Sequence, residues 1–209
     1  MKIKKGFTLA EVLITLGVIG IIAGITIPAL ISNYQDSVLK KQWKESYSIL
    51  NQAMTAALND NGGPFEGFSS KTVMKDTFKP YLKYVKDCAT PTVGICWANN
   101  VKQPNGGSTS GWEDNPGLIL TNGMFIRFYQ NNSSLGCAQT IYYSTGECGQ
   151  IQVDVNGMKG PNVTGKDVFA VHVLSNSLKP AGAGDSLREL SAANCATNGT
   201  GCGAALLLD

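Results

Sequence analysis

One apolar segment near the N-terminus constrains this chain more than any other feature. From Phe7 to Ile31 the sequence runs for 25 residues, and Glu11 is their only ionisable side chain. A helix of about 20 apolar residues crosses the roughly 30 Å hydrocarbon layer of a bilayer, so this segment is long enough to span a membrane. Lys2, Lys4 and Lys5 precede it, and no comparable basic cluster follows immediately. This asymmetry predicts a cytoplasmic N-terminus and an exported C-terminal part.

Glu11 is the residue that an ordinary secretion signal or membrane anchor does not explain. A cleaved signal peptide has an apolar region of about 7 to 15 residues that ends in a small-residue cleavage motif. No convincing motif of that kind follows Ile31. A plain anchor has no need of a carboxylate in its apolar helix, where an ionised side chain is costly unless it is paired. The sequence therefore predicts a partner for Glu11.

The N-terminus resembles the class III signal of type IV pilins and type II secretion pseudopilins. The resemblance is carried by the string Lys4-Lys5-Gly6-Phe7-Thr8-Leu9-Ala10-Glu11 and by the long apolar run after it. It implies that a prepilin peptidase cuts the chain between Gly6 and Phe7 and methylates the new Phe7 amine. It also implies that Glu11 attracts the Phe7 ammonium of a neighbouring subunit during filament assembly.

Two pairings remain open for Glu11. A carboxylate and an ammonium that are each buried alone in lipid are costly, whereas together they attract strongly at low dielectric. A pairing with the Phe7 amine of a neighbouring subunit would set the register of assembly. A pairing with the Phe7 amine of the same chain would compensate Glu11 in the free subunit. The intrachain pair can therefore form before assembly and the interchain pair after it.

The residues after Ile31 predict that the helix continues with an amphipathic face. Apolar residues recur every three or four positions, at Leu39, Trp43, Tyr47, Leu50, Met54 and Leu58. This spacing is the periodicity of a helix, and the breakers Asn61-Gly62-Gly63-Pro64 predict its end. We divide the chain into a leader peptide (1–6), a transmembrane or filament-core helix segment (7–31), the amphipathic half of the same helix (32–60) and a globular α+β head (61–209).

Local patterns in the head predict a short helix and a small antiparallel sheet. The helix is expected at Lys71–Phe78. Two apolar runs between Leu118 and Gln130 flank Asn122-Gly123, a dipeptide preferred in two-residue hairpin turns. Apolar residues alternate with others from Ile151 to Val155 and from Phe169 to Val173, which predicts two half-buried strands. The fold class is therefore α+β and pilin-like, with the long helix packed on the sheet.

The charge balance does not favour nucleic acid as a partner. The chain has 17 basic and 15 acidic residues, a net charge of +2, so no basic excess remains to hold a phosphate backbone. No nucleic acid is expected to bind the isolated head. An enzyme is not expected either, because His172 is the only histidine and the sequence has no P-loop or G-x-S-x-G motif.

The cysteines predict an exported head whose loops are closed by disulfides. An even number of cysteines beyond a membrane-type N-terminus indicates disulfides formed outside the cytosol. Local pairing is favoured by the spacings, as Cys88–Cys96, Cys137–Cys148 and Cys195–Cys202. Six cysteines allow fifteen connectivities. A zinc site is disfavoured because the sequence has one histidine and no CxxC pair.

The segment from Asp154 to Asp167 is the candidate cation site of the head. Asp154 and Asn156 place oxygen ligands at alternate positions before Gly157, as in the first part of a calcium loop, but the twelfth-position glutamate is absent. Type II secretion pseudopilins hold calcium in a loop after their sheet, and this resemblance implies calcium ligands at Asp154, Asn156 and Asp167. The favoured alternative is that Asp154, Asn156 and Asn162 only make side-chain-to-backbone turns.

Together these features predict a structural filament subunit. Its partners would be copies of itself and other pilins or pseudopilins, the prepilin peptidase, the membrane and the inner-membrane assembly platform. It would cross the inner membrane once before assembly and lie in a periplasmic or surface filament afterwards. The alternative is a monomeric membrane-anchored binding module or adhesin, which needs neither Gly6 nor Glu11. A pilus subunit and a secretion or DNA-uptake pseudopilus subunit both fit the sequence, as do a major and a minor role.

Overall fold

The structure is a computed structural model, and it describes residues 6–90, 93–109, 115–130, 136–137, 146–183 and 192–208. The leader lysines Lys2, Lys4 and Lys5 lie outside these residues. The chain divides into two compact units, Met1–Val38 and Leu39–Asp209. Helix α1, Leu9–Asn61, contributes residues to both units.

The first unit contains the apolar part of α1. The helix is continuous through Pro28. Every Leu, Ile, Val and Phe side chain from 7 to 31 is at least 42% exposed. By length and composition α1 is a candidate membrane-spanning helix. An apolar surface of this extent needs lipid or another protein surface to cover it.

In the second unit, the predicted apolar face of α1 packs against the core. Leu39, Trp43, Leu50 and Met54 are buried, and Tyr47 and Leu58 pack against the same core. The amphipathic face predicted from the spacing is therefore confirmed. The helix ends at Asn61, where Gly62 has a φ of +76° and the Gly63 N–H donates to the Leu58 carbonyl at 3.0 Å. Glycine adopts this left-handed conformation without strain, which explains the stop.

The described residues of the head form an antiparallel sheet of six strands whose order in space follows their order in the chain. The strands are β1 Tyr84–Cys88, β2 Gly117–Leu120, β3 Phe125–Tyr129, β4 Glu147–Asp154, β5 Val168–Leu174 and β6 Leu178–Pro180. Helix α2, Lys71–Phe78, precedes the sheet as predicted, and Ser70 caps it by accepting from the Val73 N–H at 3.1 Å. The α+β fold class is confirmed.

The hairpin between β2 and β3 is confirmed, but its turn is longer than predicted. The Leu120 N–H donates to the Met124 carbonyl at 2.9 Å, so three residues rather than two form the loop. Gly123 has a φ of +87° and its N–H donates back to the Leu120 carbonyl. A three-residue loop with a left-handed glycine in its last position is the next common hairpin after the two-residue forms.

The predicted half-buried character of β4 and β5 is wrong, because both faces of the sheet are covered. The connection from β1 to β2 places Trp97, Ala98 and Val101 against Phe125 and Val168. Three residues expected at the surface are buried, which are Gln152, Asp154 and His172. Arg127 lies 4.2 Å from the centroid of the Trp97 ring and donates to Gln152 Oε1 at 2.6 Å. His172 Nδ1 lies 2.7 Å from Glu147 Oε1.

All six cysteines are paired, and the pairs coincide with those that the spacings favoured. The disulfides are Cys88–Cys96, Cys137–Cys148 and Cys195–Cys202. The last one joins two short helices that were not predicted, α3 Ala192–Thr197 and α4 Cys202–Leu208. The indole N–H of Trp43 donates to the Gly203 carbonyl at 2.9 Å, so this C-terminal segment is anchored on the buried face of α1.

Candidate functional sites

The start of α1 brings together Thr8 and Glu11. The Thr8 N–H and the Thr8 hydroxyl donate to Glu11 Oε2 at 2.9 and 2.8 Å, and the Glu11 N–H lies 3.3 Å from Thr8 Oγ1. This reciprocal arrangement is a capping box, which satisfies backbone donors that the first turn of a helix leaves unpaired. In the described chain Glu11 therefore has an intrachain partner, Thr8, which the sequence analysis overlooked.

The capping box was readable in the sequence. Thr8-Leu9-Ala10-Glu11 is an instance of the pattern in which Ser or Thr is followed three positions later by Glu or Gln. The Glu11 oxygen that accepts from Thr8 lies at the N-terminal end of the helix, and Phe7 directly precedes Thr8 in the sequence. Cleavage after Gly6 would turn the Phe7 amide nitrogen into an amine, so the carboxylate would then have a charged partner available as well.

Gly6 and Phe7, between which the cut is predicted, are both open to solvent. Phe7 is 89% exposed, and Gly6 is exposed. A Cβ atom added at Gly6 would meet no other atom within 4 Å. The described chain thus places no packing requirement on Gly6, and a demand for glycine at this position would come from outside the subunit.

The second site lies where β4 ends and β5 begins. Asp154 is the last residue of β4 and Asp167 immediately precedes β5, and both are fully buried. Asp167 Oδ2 accepts from the Asn162 N–H at 2.7 Å, and its Oδ1 accepts from the Val163 N–H at 2.6 Å. Asp154 Oδ1 accepts from the Asn156 N–H at 3.2 Å. The Asp154 bond, together with the Asn156 side-chain amide that donates to the Gly160 carbonyl at 3.1 Å, is a side-chain-to-backbone turn contact of the kind that the alternative interpretation predicts. The bonds of Asp167 were not part of that prediction.

Turn chemistry leaves three oxygen atoms of this loop unexplained. Asp154 Oδ2, Asn156 Oδ1 and Asn162 Oδ1 are buried and have no hydrogen-bond partner. A buried polar atom without a partner is costly and is uncommon in folded proteins. Three such atoms in one loop are candidate oxygen ligands, and Asn162 is one that the metal prediction did not include.

The electrostatics of the loop also favour a cation. Burial, followed by the charge of Asp167, raises the pKa of Asp154 to about 8. Burial raises the pKa of Asp167 as well. Two buried carboxylates that face one site repel each other unless a proton or a cation lies between them. Either a proton or a cation would remove this repulsion.

The types of ligand atom in the loop indicate which cation it could bind. Within the described part of the chain, no group of three or more His, Cys, Asp or Glu side chains is placed to hold a metal ion. The loop instead offers two carboxylates together with carboxamide and backbone oxygens. Calcium accepts this mixture of oxygen ligands, whereas zinc prefers nitrogen and sulfur. The residues fit calcium better than a transition metal.

Comparison with known proteins supports the N-terminal site. Residues 1–27 match a protein family described as the prokaryotic N-terminal methylation motif. A fimbrial protein, EcpC of Eikenella corrodens, is 42% identical over 48 residues, which are 23% of this chain and 29% of that protein. The chain thus matches less than a third of the length of this curated relative. No solved structure matches the chain.

The match at residues 1–27 confirms the resemblance that the N-terminal residues carry. The chain begins with a prokaryotic methylation motif, and its similarity to a fimbrial protein is consistent with the type IV pilin family. The long N-terminal helix, the antiparallel sheet and the disulfides give the chain a pilin-like α+β fold. The matched part contains Gly6, Phe7 and Glu11.

Proposed function

We propose that this chain is a structural subunit of a type IV pilus or a type II secretion-like pseudopilus. A prepilin peptidase hydrolyses the bond between Gly6 and Phe7 and methylates the Phe7 amine, and the mature subunit polymerises through its N-terminal helix. The observation that carries the proposal is the methylation motif at residues 1–27, which contains an exposed Gly6 and Phe7. The role is structural rather than enzymatic.

The exposed apolar surface of α1 supports polymerisation. The apolar side chains from 7 to 31 have no cover within the described residues of the chain. Lipid would cover them while the subunit crosses the inner membrane with its N-terminus in the cytoplasm. After extraction from the membrane, helices of neighbouring subunits would cover them in a periplasmic or surface filament. Its partners are therefore other pilins or pseudopilins and the assembly platform.

A host that contains a complete pilus or pseudopilus assembly system tests this function. We expect the chain to move from the membrane fraction to the sheared-filament fraction when the assembly ATPase is present. It should stay in the membrane in an otherwise identical host without the ATPase. A chain that stays in the membrane in both hosts would favour the anchored binding module or adhesin over a filament subunit.

We propose a second function, calcium binding by the loop from Asp154 to Asp167. Asp154, Asn156 and Asp167 are the predicted ligands, and the buried Asn162 oxygen joins them. The observation that favours it is the set of three buried oxygen atoms without partners. Calcium would neutralise the two buried carboxylates and accept those oxygens as ligands.

Thermal unfolding of the full-length chain in detergent tests the calcium site. At calcium a hundredfold above the dissociation constant, mass action stabilises the folded state by about 2.7 kcal/mol. For a chain of this size the melting temperature should rise by roughly 5 to 10 °C. Asp154→Asn keeps an oxygen that can accept from the Asn156 N–H, but it removes the charge, so it should abolish the calcium-dependent rise.

Asp76→Asn is the matched control for this experiment. The Asp76 side chain is 57% exposed and lies on α2, so its variant should keep the full calcium response. An equal response in wild type and Asp154→Asn would place calcium elsewhere. A melting temperature that does not change with calcium would support the alternative, in which the loop residues only make side-chain-to-backbone turns.

A further inference from the structure

We infer that the cation-binding loop controls how the C-terminal disulfide segment, Ala192–Leu208, docks on the sheet. The inference rests on the calcium site proposed above and assigns that site a regulatory role. The contacts that connect the two elements run through a bridge of three residues, Asn162, Val163 and Thr164. We call these residues the bridge.

The bridge is held on one side by a proposed ligand. Both carboxylate oxygens of Asp167 accept backbone N–H groups from Asn162 and Val163, at 2.7 and 2.6 Å. The buried side-chain oxygen of Asn162 belongs to the ligand set. A cation that fixes Asp167 and Asn162 therefore fixes the backbone of the bridge directly.

On its other side the bridge contacts the C-terminal segment. The Thr164 hydroxyl donates to the Asn198 carbonyl at 2.6 Å, and Thr164 is buried. Asn198 lies inside the loop that the Cys195–Cys202 disulfide closes. The bridge also holds the connection from β1 to β2, because the Lys102 N–H donates to the Asn162 carbonyl and the Thr164 N–H donates to the Lys102 carbonyl, each at 2.9 Å.

The contact between the bridge and the C-terminal segment leaves little room for movement. A Cβ atom on Gly199 would lie 2.0 Å from the Thr164 carbonyl oxygen, and one on Gly165 would lie 2.5 Å from Cys202 Sγ. Backbone therefore packs directly on backbone at this point. Without a cation to fix Asp167 and Asn162, we expect the bridge to move more freely, which would weaken the Thr164 hydrogen bond and this contact.

One further anchor holds the first part of the C-terminal segment, because the Asn105 N–H in the connection from β1 to β2 donates to the Thr197 carbonyl at 3.2 Å. The other anchors lie farther along the segment. The Trp43 indole donates to the Gly203 carbonyl, and the Ala204 N–H donates to the Ala181 carbonyl at 3.0 Å. Among the described residues, the contact through Thr164 thus joins the first part of the segment to the cation loop. Without the cation, we expect this first part to open more often than the sheet does.

Hydrogen exchange of the full-length chain in detergent, followed by mass spectrometry, tests the inference. Calcium chloride is the probe, and isothermal titration calorimetry on the same sample measures binding. We expect calcium to slow exchange at residues 192–208 about tenfold more than it slows exchange in the β2–β3 hairpin at 117–129, which reports the general stabilisation of the fold. Asp154→Asn should remove both calcium binding and the added protection.

Thr164→Val separates the contact between the bridge and the C-terminal segment from calcium binding itself. It removes the hydroxyl that reaches Asn198 and leaves every proposed ligand in place, so calcium should still bind while the added protection at 192–208 is lost. Thr164→Ser, which keeps a hydroxyl, should restore that protection.

Three outcomes would overturn the inference. If calcium binds and the exchange of residues 192–208 does not change, the site stands and its control of the C-terminal segment is wrong. If calcium slows exchange equally at 192–208 and in the hairpin, the effect is global stabilisation. If calorimetry detects no binding, both the calcium site and the inference fail.

Discussion

Replacement of Glu11 by Gln is expected to reduce the yield of sheared filaments at least tenfold and to leave the amount of subunit in the membrane unchanged. Glutamine keeps an oxygen that can accept from the Thr8 N–H, so the helix start remains capped. It removes the negative charge, so the Phe7 ammonium of a neighbouring subunit would be left buried without a counter-ion. Removing one partner of a buried charge pair is strongly destabilising.

Two further variants separate charge from capping. Glu11→Ala removes both the charge and the cap acceptor, and it should lose filaments as Glu11→Gln does. Thr8→Ala removes the hydroxyl that contacts Glu11 and keeps the charge, so it should assemble close to the wild-type level. None of the three changes should prevent membrane insertion, because none adds charge to the apolar segment.

The results would distinguish three accounts of Glu11. Loss of filaments in both Glu11 variants, with Thr8→Ala active, supports the charge pair. Loss in Glu11→Ala and Thr8→Ala, with Glu11→Gln active, would show that the capping box is what assembly requires. Filaments at wild-type yield in both Glu11 variants would remove the assembly role and favour a simple membrane anchor.

Replacement of Gly6 by Val is expected to block maturation completely. A branched side chain at the scissile bond would obstruct the peptidase, whereas the described subunit itself leaves open space at Gly6. Co-expression with a prepilin peptidase should therefore shorten the wild-type chain by its six leader residues and leave Gly6→Val at full length. Intact mass spectrometry measures the difference.

Gly17→Val is the matched control for this variant. Gly17 lies in the same apolar segment and also has open space around an added Cβ atom, so its variant should be cut and methylated as the wild type is. Cleavage of Gly6→Val at the wild-type rate would show that the enzyme does not read Gly6. Cleavage of the wild type after Ile31 would indicate an ordinary signal peptidase.

Features of the fold that depend on neighbours in sequence were predictable. The spacing of Leu39, Trp43, Leu50 and Met54 defines the buried face of α1 without reference to the rest of the chain. The hairpin around Asn122-Gly123 was likewise local, although the length of its loop depends on which residues of β2 and β3 pair.

The elements that the sequence analysis missed depend on tertiary contacts. Strand β1 reads Tyr-Val-Lys-Asp-Cys and is mostly exposed, and β6 has three residues and ends in Pro180. Neither carries a strong periodic signal, because each is defined by the strand beside it. The burial of Gln152 and Asp154 similarly depends on a layer contributed by Trp97 and its neighbours, more than 50 positions earlier in the chain.

The two candidate sites also differ in how far their residues could be identified from local sequence. The residues of the methylation motif lie within a few positions of one another, so Gly6, Phe7 and Glu11 could be singled out from the sequence, and the capping role of Thr8 could have been. The cation loop needs Asp154 and Asp167 at the ends of two paired strands, with Asn162 turned inward between them. Its oxygens are buried without partners because of how the folded chain packs around them. No local sequence pattern predicts that packing.

Mass spectrometry of the subunit recovered from sheared filaments tests whether filaments are built from processed chains. We expect the chain in filaments to begin at Phe7, to carry one methyl group on that amine, and to lack residues 1–6. Filaments that contain the chain with its leader intact would contradict processing before assembly. Absence of the chain from filaments, with the processed subunit retained in the membrane of a competent host, would contradict the filament function itself.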